Sequence, residues 1–229
     1  MRKAPVGRPR GADRENSSRR RKQLVDAAVA SIVENGLSAT TLATVAKASG
    51  LSQGTAVFYF KTKDKLLSEA FQQRMEEYKQ AYRTAIEAAG DDPVERIIAL
   101  ALHSLHPDVM TRDNLALWNE FWPDASRSPS LNAVFRRVEY ERQTRIRQMF
   151  DDASEALADS DWTPHLAAQT METMVEGIWT RLHYSPRYLT FAEAIEMMAH
   201  LLCIIFPDYA DRIRKAATSL EAAAPDTSD

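Results

Sequence analysis

Two short helical segments separated by a glycine turn constrain the fold of this chain more than any other stretch of its sequence. The first, T-L-A-T-V-A-K-A, begins with Thr41 as an N-cap, and its apolar residues share one side. Ser49-Gly50-Leu51 ends it, and Ser52 is placed to cap a second segment that runs to about Phe58. A longer helix follows from Asp64. Two short helices joined by such a turn, with a longer helix behind them, are typical of a helix-turn-helix motif.

The rest of the chain also carries the periodicity of helices, because apolar residues recur every three or four positions between proline-containing breaks. Glycine is scarce, at 7 of 229 residues, and the composition gives no support for a sheet. We therefore expect an all-α fold in four segments: a flexible basic arm at 1–18, a helix-turn-helix DNA-binding domain at 19–66, a larger helical domain at 67–217 and a flexible tail at 218–229.

The charge distribution divides the chain at the same place. Residues 1–66 contain 13 Lys and Arg against 5 Asp and Glu, whereas residues 67–229 contain 16 against 27. The first segment thus has a net charge of +8 and the second of −11, although the whole chain carries only −3. A basic segment joined to an acidic one predicts a polyanionic partner for the first segment alone.

The first turn of the second short helix is the expected site of base recognition, because these residues enter the major groove in helix-turn-helix proteins. Gln53 can form two hydrogen bonds to adenine, Thr55 can contact thymine, and Gly54 keeps the backbone free of side-chain bulk. Thr41 and Ser52 stand at helix N-termini, which favour phosphate groups. The competing interpretation is that these two hydroxyls only cap their helices.

This stretch resembles the DNA-binding domain of the TetR family of transcriptional repressors. The resemblance covers roughly residues 19–70. The residues that carry it are Thr41, Val45-Ala46, Ser49-Gly50-Leu51-Ser52, Gly54-Thr55, Phe58-Tyr59-Phe60, Lys63 and Leu66-Leu67. It implies that Phe60 packs inside the domain and that DNA is contacted by Thr41, Gln53, Thr55, Tyr59 and Lys63.

Val57 departs from the family pattern, which often has tyrosine there, so Phe58 and Tyr59 are expected to cover that part of the surface. The side chain of Phe58 can face either the DNA groove or the interior of the domain. Lys61 and Lys63 suit neutralisation of phosphates, although a single surface lysine is usually only solvated.

The basic arm adds a second predicted contact with DNA. Its segment V-G-R-P-R-G is similar to minor-groove hooks, so Arg8 and Arg10 can enter a narrow A·T-rich minor groove. The alternative is a disordered basic tail that raises nonspecific affinity. Arg20 lies in a basic run at the start of the first helix, residues 19–22, and we expect this run to contact phosphates.

By the same resemblance, the larger domain binds a small-molecule effector and forms a homodimer. Two strongly apolar helical segments joined by a proline-containing turn predict a hairpin, and two copies would form a four-helix interface. The predicted interface residues are Met171, Met174, Val175, Ile178, Met198, Leu201, Leu202 and Ile205. The competing interpretation places these side chains in the core of one protomer. Recognition of a palindromic operator favours the dimer.

All four tryptophans lie in the larger domain. The segments A-L-W-N-E-F-W and V-E-G-I-W-T-R are similar to the C-terminal domain of BetI-type regulators, which respond to choline, and this resemblance covers roughly residues 110–205. A quaternary ammonium ion is bound by an aromatic cage with an acidic partner. The candidate effector residues are Trp118, Phe121, Trp122, Glu176, Trp179 and Tyr184, with Glu120 as a second source of charge. The competing interpretation is that the aromatic residues are core.

Other functions lack support in the sequence. A Gly-rich phosphate loop, H-E-x-x-H and G-x-S-x-G are all absent, so an enzyme is disfavoured and no cofactor is expected. Cys203 is the only cysteine, and His103, His106 and Asp108 have weak metal-ligand spacing, so we expect no metal. The longest apolar stretch, residues 197–206, is too short to span a membrane, and no secretory signal is visible. We expect a soluble cytoplasmic protein.

The sequence therefore predicts a homodimeric DNA-binding regulator, with double-stranded DNA and a small molecule as partners. The favoured form is a repressor that an effector releases from a palindromic operator, the effector being choline or another cationic or hydrophobic molecule. The alternative is an architectural DNA-binding protein without a ligand, which would have no pocket in the larger domain.

Overall fold

The computed structural model describes residues 10–125 and 128–223, and the described residues form ten α-helices. The helices are α1 (Arg10–Ala39), α2 (Leu42–Ala48), α3 (Gln53–Phe60), α4 (Lys63–Ala88), α5 (Pro93–His103), α6 (Arg112–Ala125), α7 (Pro129–Asp152), α8 (Pro164–Tyr184), α9 (Phe191–Ile205) and α10 (Ala210–Ala222). The predicted all-α fold is confirmed. Within the described ranges, no helix has the length and apolar character needed to cross a membrane.

Hydroxyl caps explain where six of these helices begin. At α2, α3, α4, α7, α8 and α9 a hydroxyl oxygen accepts a hydrogen bond from the backbone N–H three residues further on. The capping residues are Thr41, Ser52, Thr62, Ser128, Thr163 and Thr190. A cap of this kind stabilises a helix by about 1 kcal/mol. The starts predicted at Thr41 and Ser52 are therefore confirmed by local hydrogen bonding.

Other boundaries differ from the prediction. Helix α1 begins at Arg10, so residues 10–18, which the sequence assigned to a flexible arm, are helical. Helix α6 continues past Pro123 to Ala125, because a proline in the last turn removes one donor without ending the helix. The sequence did not predict α10, which includes residues 218–222 of the proposed tail and buries Leu220.

The N-terminal domain has its own hydrophobic core, but part of that core comes from outside the domain. The buried residues of α1 to α4 include Leu24, Ile32, Val45, Phe60 and Leu66. Leu117 and Phe121 of α6 belong to the same cluster. Helix α4 also runs without interruption across the predicted boundary at residue 66. The two domains therefore meet through shared packing on α4 and α6.

The C-terminal domain packs around α8 and α9. Seven of the eight residues predicted for the dimer interface are buried within the single chain, at most 7% exposed: Met171, Val175, Ile178, Met198, Leu201, Leu202 and Ile205. Helices α5, α6 and α7 pack against α8 and α9 and cover their inner faces. These seven side chains therefore contribute to the core of the protomer, while Met174 is half-buried. Met174, Ile178 and Leu201 also line a groove on the outer face of the two helices, so their place in a dimer interface stays a prediction.

Candidate DNA-binding surface and effector site

The turn between α2 and α3 is fixed by backbone hydrogen bonds and by one glycine. The N–H of Gly50 donates to the carbonyl of Lys47 at 3.2 Å, and that of Leu51 donates to Ala46 at 3.0 Å. Gly50 has a φ of +68°, in the left-handed region, where other residues lose roughly 1–2 kcal/mol. The turn thus depends on glycine, and it ends just before the cap of α3.

The N-terminus of α3 is open to solvent. Ser52, Gln53 and Gly54 are exposed, and the Ser52 hydroxyl accepts the N–H of Thr55 at 3.1 Å. A Cβ atom on Gly54 would meet only Ser52 Oγ, at 3.7 Å, so packing within the chain does not require glycine here. The hydroxyls of Ser52 and Thr55 lie 2.9 Å apart and support the cap. The amide of Gln53 is therefore the exposed group best placed for base recognition.

The aromatic residues at the end of α3 divide between the surface and the core. Phe58 is 69% exposed, which places it outside the domain and decides the alternative that the sequence leaves open. Its ring meets that of Tyr59 at 5.3 Å, and Lys61 Nζ lies 5.5 Å from its centroid. Val57 is also exposed, whereas Phe60 is buried in the N-terminal core as predicted.

Two predicted phosphate contacts already have partners inside the chain. Lys63 Nζ donates to the carbonyls of Leu37 and Ser38 at 2.7 and 3.0 Å, which uses two of its three donors. The Tyr59 hydroxyl donates to Ser17 Oγ at 3.1 Å and so joins α3 to α1. Lys63 thus holds the end of α1 that follows the kink at Gly36, a role that the sequence did not predict, and any contact of Lys63 or Tyr59 with DNA stays a prediction.

The basic residues of α1 also differ in whether they already have ion-pair partners within the chain. Arg20 is exposed, but Arg21 forms two hydrogen bonds to Glu69, and Lys22 pairs with Asp26 at 2.7 Å. Within the basic run, Arg20 is therefore a better candidate for a phosphate contact than Arg21 or Lys22. The predicted contact Arg8 lies outside the described residues, as does the side chain of Arg10.

A group of aromatic rings lies between α4, α6, α7 and α8, and we call it the effector cage. It consists of Phe71, Tyr78, Trp118, Trp122, Phe135 and Trp179. The ring centroids of Trp118 and Trp179 are 5.9 Å apart, and Tyr78 lies 6.3 and 5.7 Å from them. The cavity between these side chains measures about 50 Å³. Such rings can attract a cation, but this volume is well below the roughly 300 Å³ of a typical ligand pocket.

Glu139, Glu176 and the guanidinium of Arg142 line one side of the cage, and Glu172 lies behind Arg142, in the small cavity beside Ser104. Glu139 accepts hydrogen bonds from Nε and Nη2 of Arg142 at 3.2 and 3.0 Å. Glu176 accepts from Nη2 at 3.2 Å, and Glu172 accepts from Nη1. We call Glu139, Glu172 and Glu176 the carboxylate cluster. Because one arginine faces three carboxylates, the ionised site is acidic.

Burial changes the acidity of groups around the cage. It raises the pKa of Glu172 to about 7, against the opposing effect of Arg142, and it also raises the pKa of Glu176. Burial raises the pKa of Tyr78 to about 12, and its hydroxyl lies 3.2 Å from Ser104 Oγ. Trp179 Nε1 donates to the carbonyl of Ser104 at 2.9 Å. Ser104 thus holds two cage residues in place.

The structure brings together four of the six predicted effector residues: Trp118, Trp122, Glu176 and Trp179. Two others are corrected. Phe121 is 1% exposed and packs in the N-terminal core, where its ring lies 5.0 Å from that of Phe71. Tyr184 is 65% exposed at the end of α8, beside His183. Glu120 is also outside the cage, since its Oε2 accepts the backbone N–H of Leu37 at 2.9 Å.

Sequence reasoning missed the contribution of α7, which supplies Phe135, Glu139 and Arg142 to the cage. This helix is rich in charged residues, which conceal its buried face in the sequence. The spacing of Phe135, Val138, Arg142 and Ile146 places them along one side of a helix, and this pattern could have identified the buried face of α7 from the sequence.

Helix α6 connects the cage to the DNA-binding domain. Trp118 lines the cage and also packs against the N-terminal core, where its ring lies 5.8 Å from that of Phe71. Phe71 belongs to α4 and lines the cage as well. The hydrogen bond from Leu37 to Glu120 attaches α6 to the end of α1, just after the kink at Gly36. The cage and the N-terminal domain therefore share residues of α4 and α6.

His103 is the last residue of α5, and His106 lies in the turn that follows it. The rings of His103 and His106 stack at 5.9 Å, and His106 Nδ1 lies 3.6 Å from a carboxylate oxygen of Asp108. Within the described parts of the chain, no group of three or more His, Cys, Asp or Glu side chains could hold a metal ion.

A helix-turn-helix domain joined by α4 and α6 to a larger helical domain is the architecture of a DNA-binding regulator. The family model "Bacterial regulatory proteins, tetR family" matches residues 24–70, and "BetI-type transcriptional repressor, C-terminal" matches residues 93–207. The chain belongs to the TetR family and has a C-terminal domain of BetI type. It is therefore a DNA-binding transcriptional regulator and not an enzyme.

Relatives and solved structures agree with this assignment. The BetI regulator of Stenotrophomonas maltophilia is 30% identical over 166 residues, which cover 71% of this chain and 80% of the relative. A transcriptional regulator from Pseudomonas aeruginosa PAO1 has a TM-score of 0.74 at 19% identity, covering 86% of this chain and 95% of that one. A regulator from Saccharomonospora viridis, solved in complex with choline, has a TM-score of 0.69 at 17% identity and covers 85% and 96%. At these identities the structural likeness shows the fold alone.

Proposed function

We propose that the protein is a homodimeric repressor that a small cation carrying apolar groups, such as choline, releases from a palindromic operator. The observation that carries this proposal is the meeting of Trp118, Trp179 and Tyr78 with the carboxylates of Glu139 and Glu176 in one buried site. Aromatic faces and carboxylates are the groups that recognise a quaternary ammonium ion. The choline complex of the Saccharomonospora viridis regulator supports the same class of ligand.

The size of the cage indicates how such an effector would act. A cavity of about 50 Å³ has room for a few water molecules but not for a small organic cation. The closed cage therefore represents the form without effector, and binding requires α4, α6, α7 or α8 to move. A ligand that binds only an opened form shifts the population toward that form.

This movement would reach DNA through residues that serve both domains. Phe71 and Trp118 line the cage and pack against the N-terminal core, and Phe121 is buried within that core. We propose that the effector changes the angle of α4 and α6 and so alters the spacing of the two α3 helices in the dimer. Two α3 helices must lie about 34–36 Å apart to enter successive major grooves, so a small change in angle weakens binding.

The proposed dimer uses the outer face of α8 and α9. This face has a groove of about 1070 Å³ and includes exposed apolar residues, of which Met197 is 43% and Ile204 is 52% exposed. Gly177 faces open space there, so the backbone of a partner helix can come close. Isologous packing of this face on itself would bury it and place two DNA-binding domains on one molecule.

The regulatory proposal can be tested by fluorescence anisotropy with DNA from upstream of the protein's own gene. We expect binding that weakens by about a thousandfold between 50 and 200 mM salt, because several phosphates are neutralised. Choline should release the DNA at constant ionic strength, with sodium chloride as the control. Tight binding that choline leaves unchanged would reject choline as the effector, and failure to bind any sequence would reject the repressor mechanism.

The dimer can be tested separately by sedimentation velocity. Ile204→Glu places a charge on the proposed interface and should give monomers, because an unpaired charge is costly to bury. Tyr140→Glu is the matched control, since Tyr140 is 74% exposed on α7, away from this face. Monomeric wild-type protein, or dimeric Ile204→Glu with unchanged affinity, would contradict the proposed interface.

A further inference from the structure

Arg142 occupies the place where an effector cation would meet the carboxylate cluster. Its guanidinium makes hydrogen bonds to Glu139, Glu172 and Glu176, and its side chain is only 17% exposed. The guanidinium of Arg142 uses more of its N–H donors here than an arginine in a surface ion pair does. The chain thus supplies its own cation to the acidic side of the cage.

The same side chain lies between three cavities. Arg142 lines the cavity of about 50 Å³ in the cage, a cavity of about 20 Å³ beside Ser104, and a groove of about 410 Å³ between α4 and α7. The cage and the groove also share Met75 and Val138 in their walls. Withdrawal of one guanidinium would therefore connect the closed cage to the groove.

We propose that Arg142 is a tethered cation that keeps the effector site closed, and that an effector cation binds by displacing its guanidinium into the groove between α4 and α7. This inference rests on the proposed function and adds a route of entry and a rule of selectivity. Removing one partner from a buried ion pair is strongly unfavourable unless another charge replaces it. A neutral or anionic molecule of the same size cannot replace Arg142, whereas a cation can.

The groove offers new partners for the displaced guanidinium. Glu76 of α4 and Glu141 of α7 border it, and at present Lys79 of α4 pairs with them at 3.9 and 3.3 Å. Glu141 directly precedes Arg142 in α7, and adjacent helical residues do not face each other, so Glu76 is the better partner. An ion pair between Arg142 and Glu76 would form a new contact between α7 and α4. Because α4 begins in the DNA-binding domain, this new contact links effector entry to the orientation of that domain.

The displacement can be observed directly in full-length wild-type protein labelled with ¹⁵N-arginine. The Nε–H signal of Arg142 is assigned by its loss in Arg142→Lys, and that of Arg145 by its loss in Arg145→Lys. Arg145 also borders the groove but packs over the ring of Tyr82, 5.8 Å from its centroid. At saturating choline, confirmed by calorimetry, the Arg142 signal should shift or broaden while that of Arg145 changes little. An unchanged Arg142 signal at saturation overturns the proposal.

A pair of variants gives a second, quantitative test. Arg142→Met removes the tethered cation, whereas Arg145→Met removes a neighbouring arginine from the same groove. At pH 8 we expect choline to bind Arg142→Met about tenfold more tightly than wild type, because affinity is lowered by the fraction of molecules that are closed. Arg145→Met should bind as wild type does. If Arg142→Met does not fold, the signal of Arg142 in the wild type still decides.

The results separate this inference from the proposed function. Choline binding that is equal in wild type and Arg142→Met overturns the role of Arg142 and leaves the cationic effector intact. Binding of choline or tetramethylammonium by Arg142→Met alone supports the tethered cation, but rejects these cations as effectors of the natural chain. If neither protein binds either cation, both proposals are overturned.

Discussion

The DNA-binding surface and the effector cage are built in opposite ways. The exposed residues of the surface follow one another along α3, and each is positioned by caps and turns only a few residues away. The cage takes side chains from α4, α6, α7 and α8, and their positions depend on how those helices pack. Local hydrogen bonds therefore determine the first site, whereas the tertiary fold determines the second.

Phe121 gives the sharpest test of whether the N-terminal domain is locally determined, because α6 supplies this residue to its core. Phe121→Ala should lower the free energy of unfolding by about 3–5 kcal/mol, the usual cost of removing a buried phenylalanine. DNA binding should weaken as well. Urea denaturation and DNA titration measure the two effects.

Trp122→Ala is the matched control for Phe121→Ala, since the neighbouring Trp122 is 39% exposed and faces the cage. It should cost less stability and leave the affinity for DNA close to that of wild type. Equal losses in the two variants would show that α6 does not pack into the N-terminal domain as described.

Glu172 tests the cage through the pH dependence of stability. Burial raises its pKa to about 7 from a reference value of 4.5, so its favourable contribution is complete below pH 4.5 and is lost as pH rises through 7. Between pH 5 and pH 8, the stability of Glu172→Gln relative to wild type should therefore rise by about 2–3 kcal/mol. Urea denaturation at both pH values measures this difference.

Glu193 supplies a control of opposite sign for Glu172. Hydrogen bonds from the backbone N–H and the hydroxyl of Thr190 lower its pKa, so its contribution is present at neutral pH and is lost as pH falls. Glu193→Gln should reduce the difference between neutral and acid stability. If the stability of Glu172→Gln relative to wild type does not change between pH 5 and pH 8, burial does not raise the pKa of Glu172.

Gln53 tests the DNA-binding surface alone. Gln53→Ala should weaken binding to the operator by about 1–3 kcal/mol, the value of one two-bonded contact with a base. Because the side chain of Gln53 is exposed, the free energy of unfolding and choline binding should stay unchanged. Anisotropy with the operator and with an unrelated duplex separates specific from nonspecific loss. Equal losses of affinity for the two duplexes would indicate that Gln53 contacts the DNA backbone rather than a base.

The contrast between the two sites also sets what the sequence could predict. The caps Thr41 and Ser52, the turn at Gly50 and the buried Phe60 follow from short patterns, and the structure has them as expected. The partners of Lys63 could not be predicted, because the carbonyls that accept its hydrogen bonds lie 25 and 26 residues earlier in the chain.

The cage shows the same limit. Trp118, Trp179 and Glu176 were identified by residue type, but Arg142 was not, because a charged residue on a charged helix does not reveal which neighbours it meets. The sequence likewise does not separate the outer face of α9 from the inner one, since both faces carry apolar residues such as Ile204 and Ile205. Periodicity gives the faces of a helix but not what covers them.

The smallest expected effect, at Gly54, separates a requirement of the fold from a requirement of DNA. Within the chain a Cβ atom at this position has room, so Gly54→Ala should raise the free energy of unfolding by about 0.5–1 kcal/mol through lower backbone entropy in the unfolded state. If DNA approaches the first turn of α3 closely, the same methyl group must weaken operator binding. The stability of Gly54→Ala, measured by thermal denaturation, would then rise while its affinity for the operator, measured by anisotropy, falls. Thr44→Ala, at the equivalent turn of α2, is a useful contrast, because the Thr44 hydroxyl completes the capping box and its loss should lower stability. A more stable Gly54→Ala with full affinity for DNA would show that α3 meets the operator through later residues, such as Phe58, and not through its first turn.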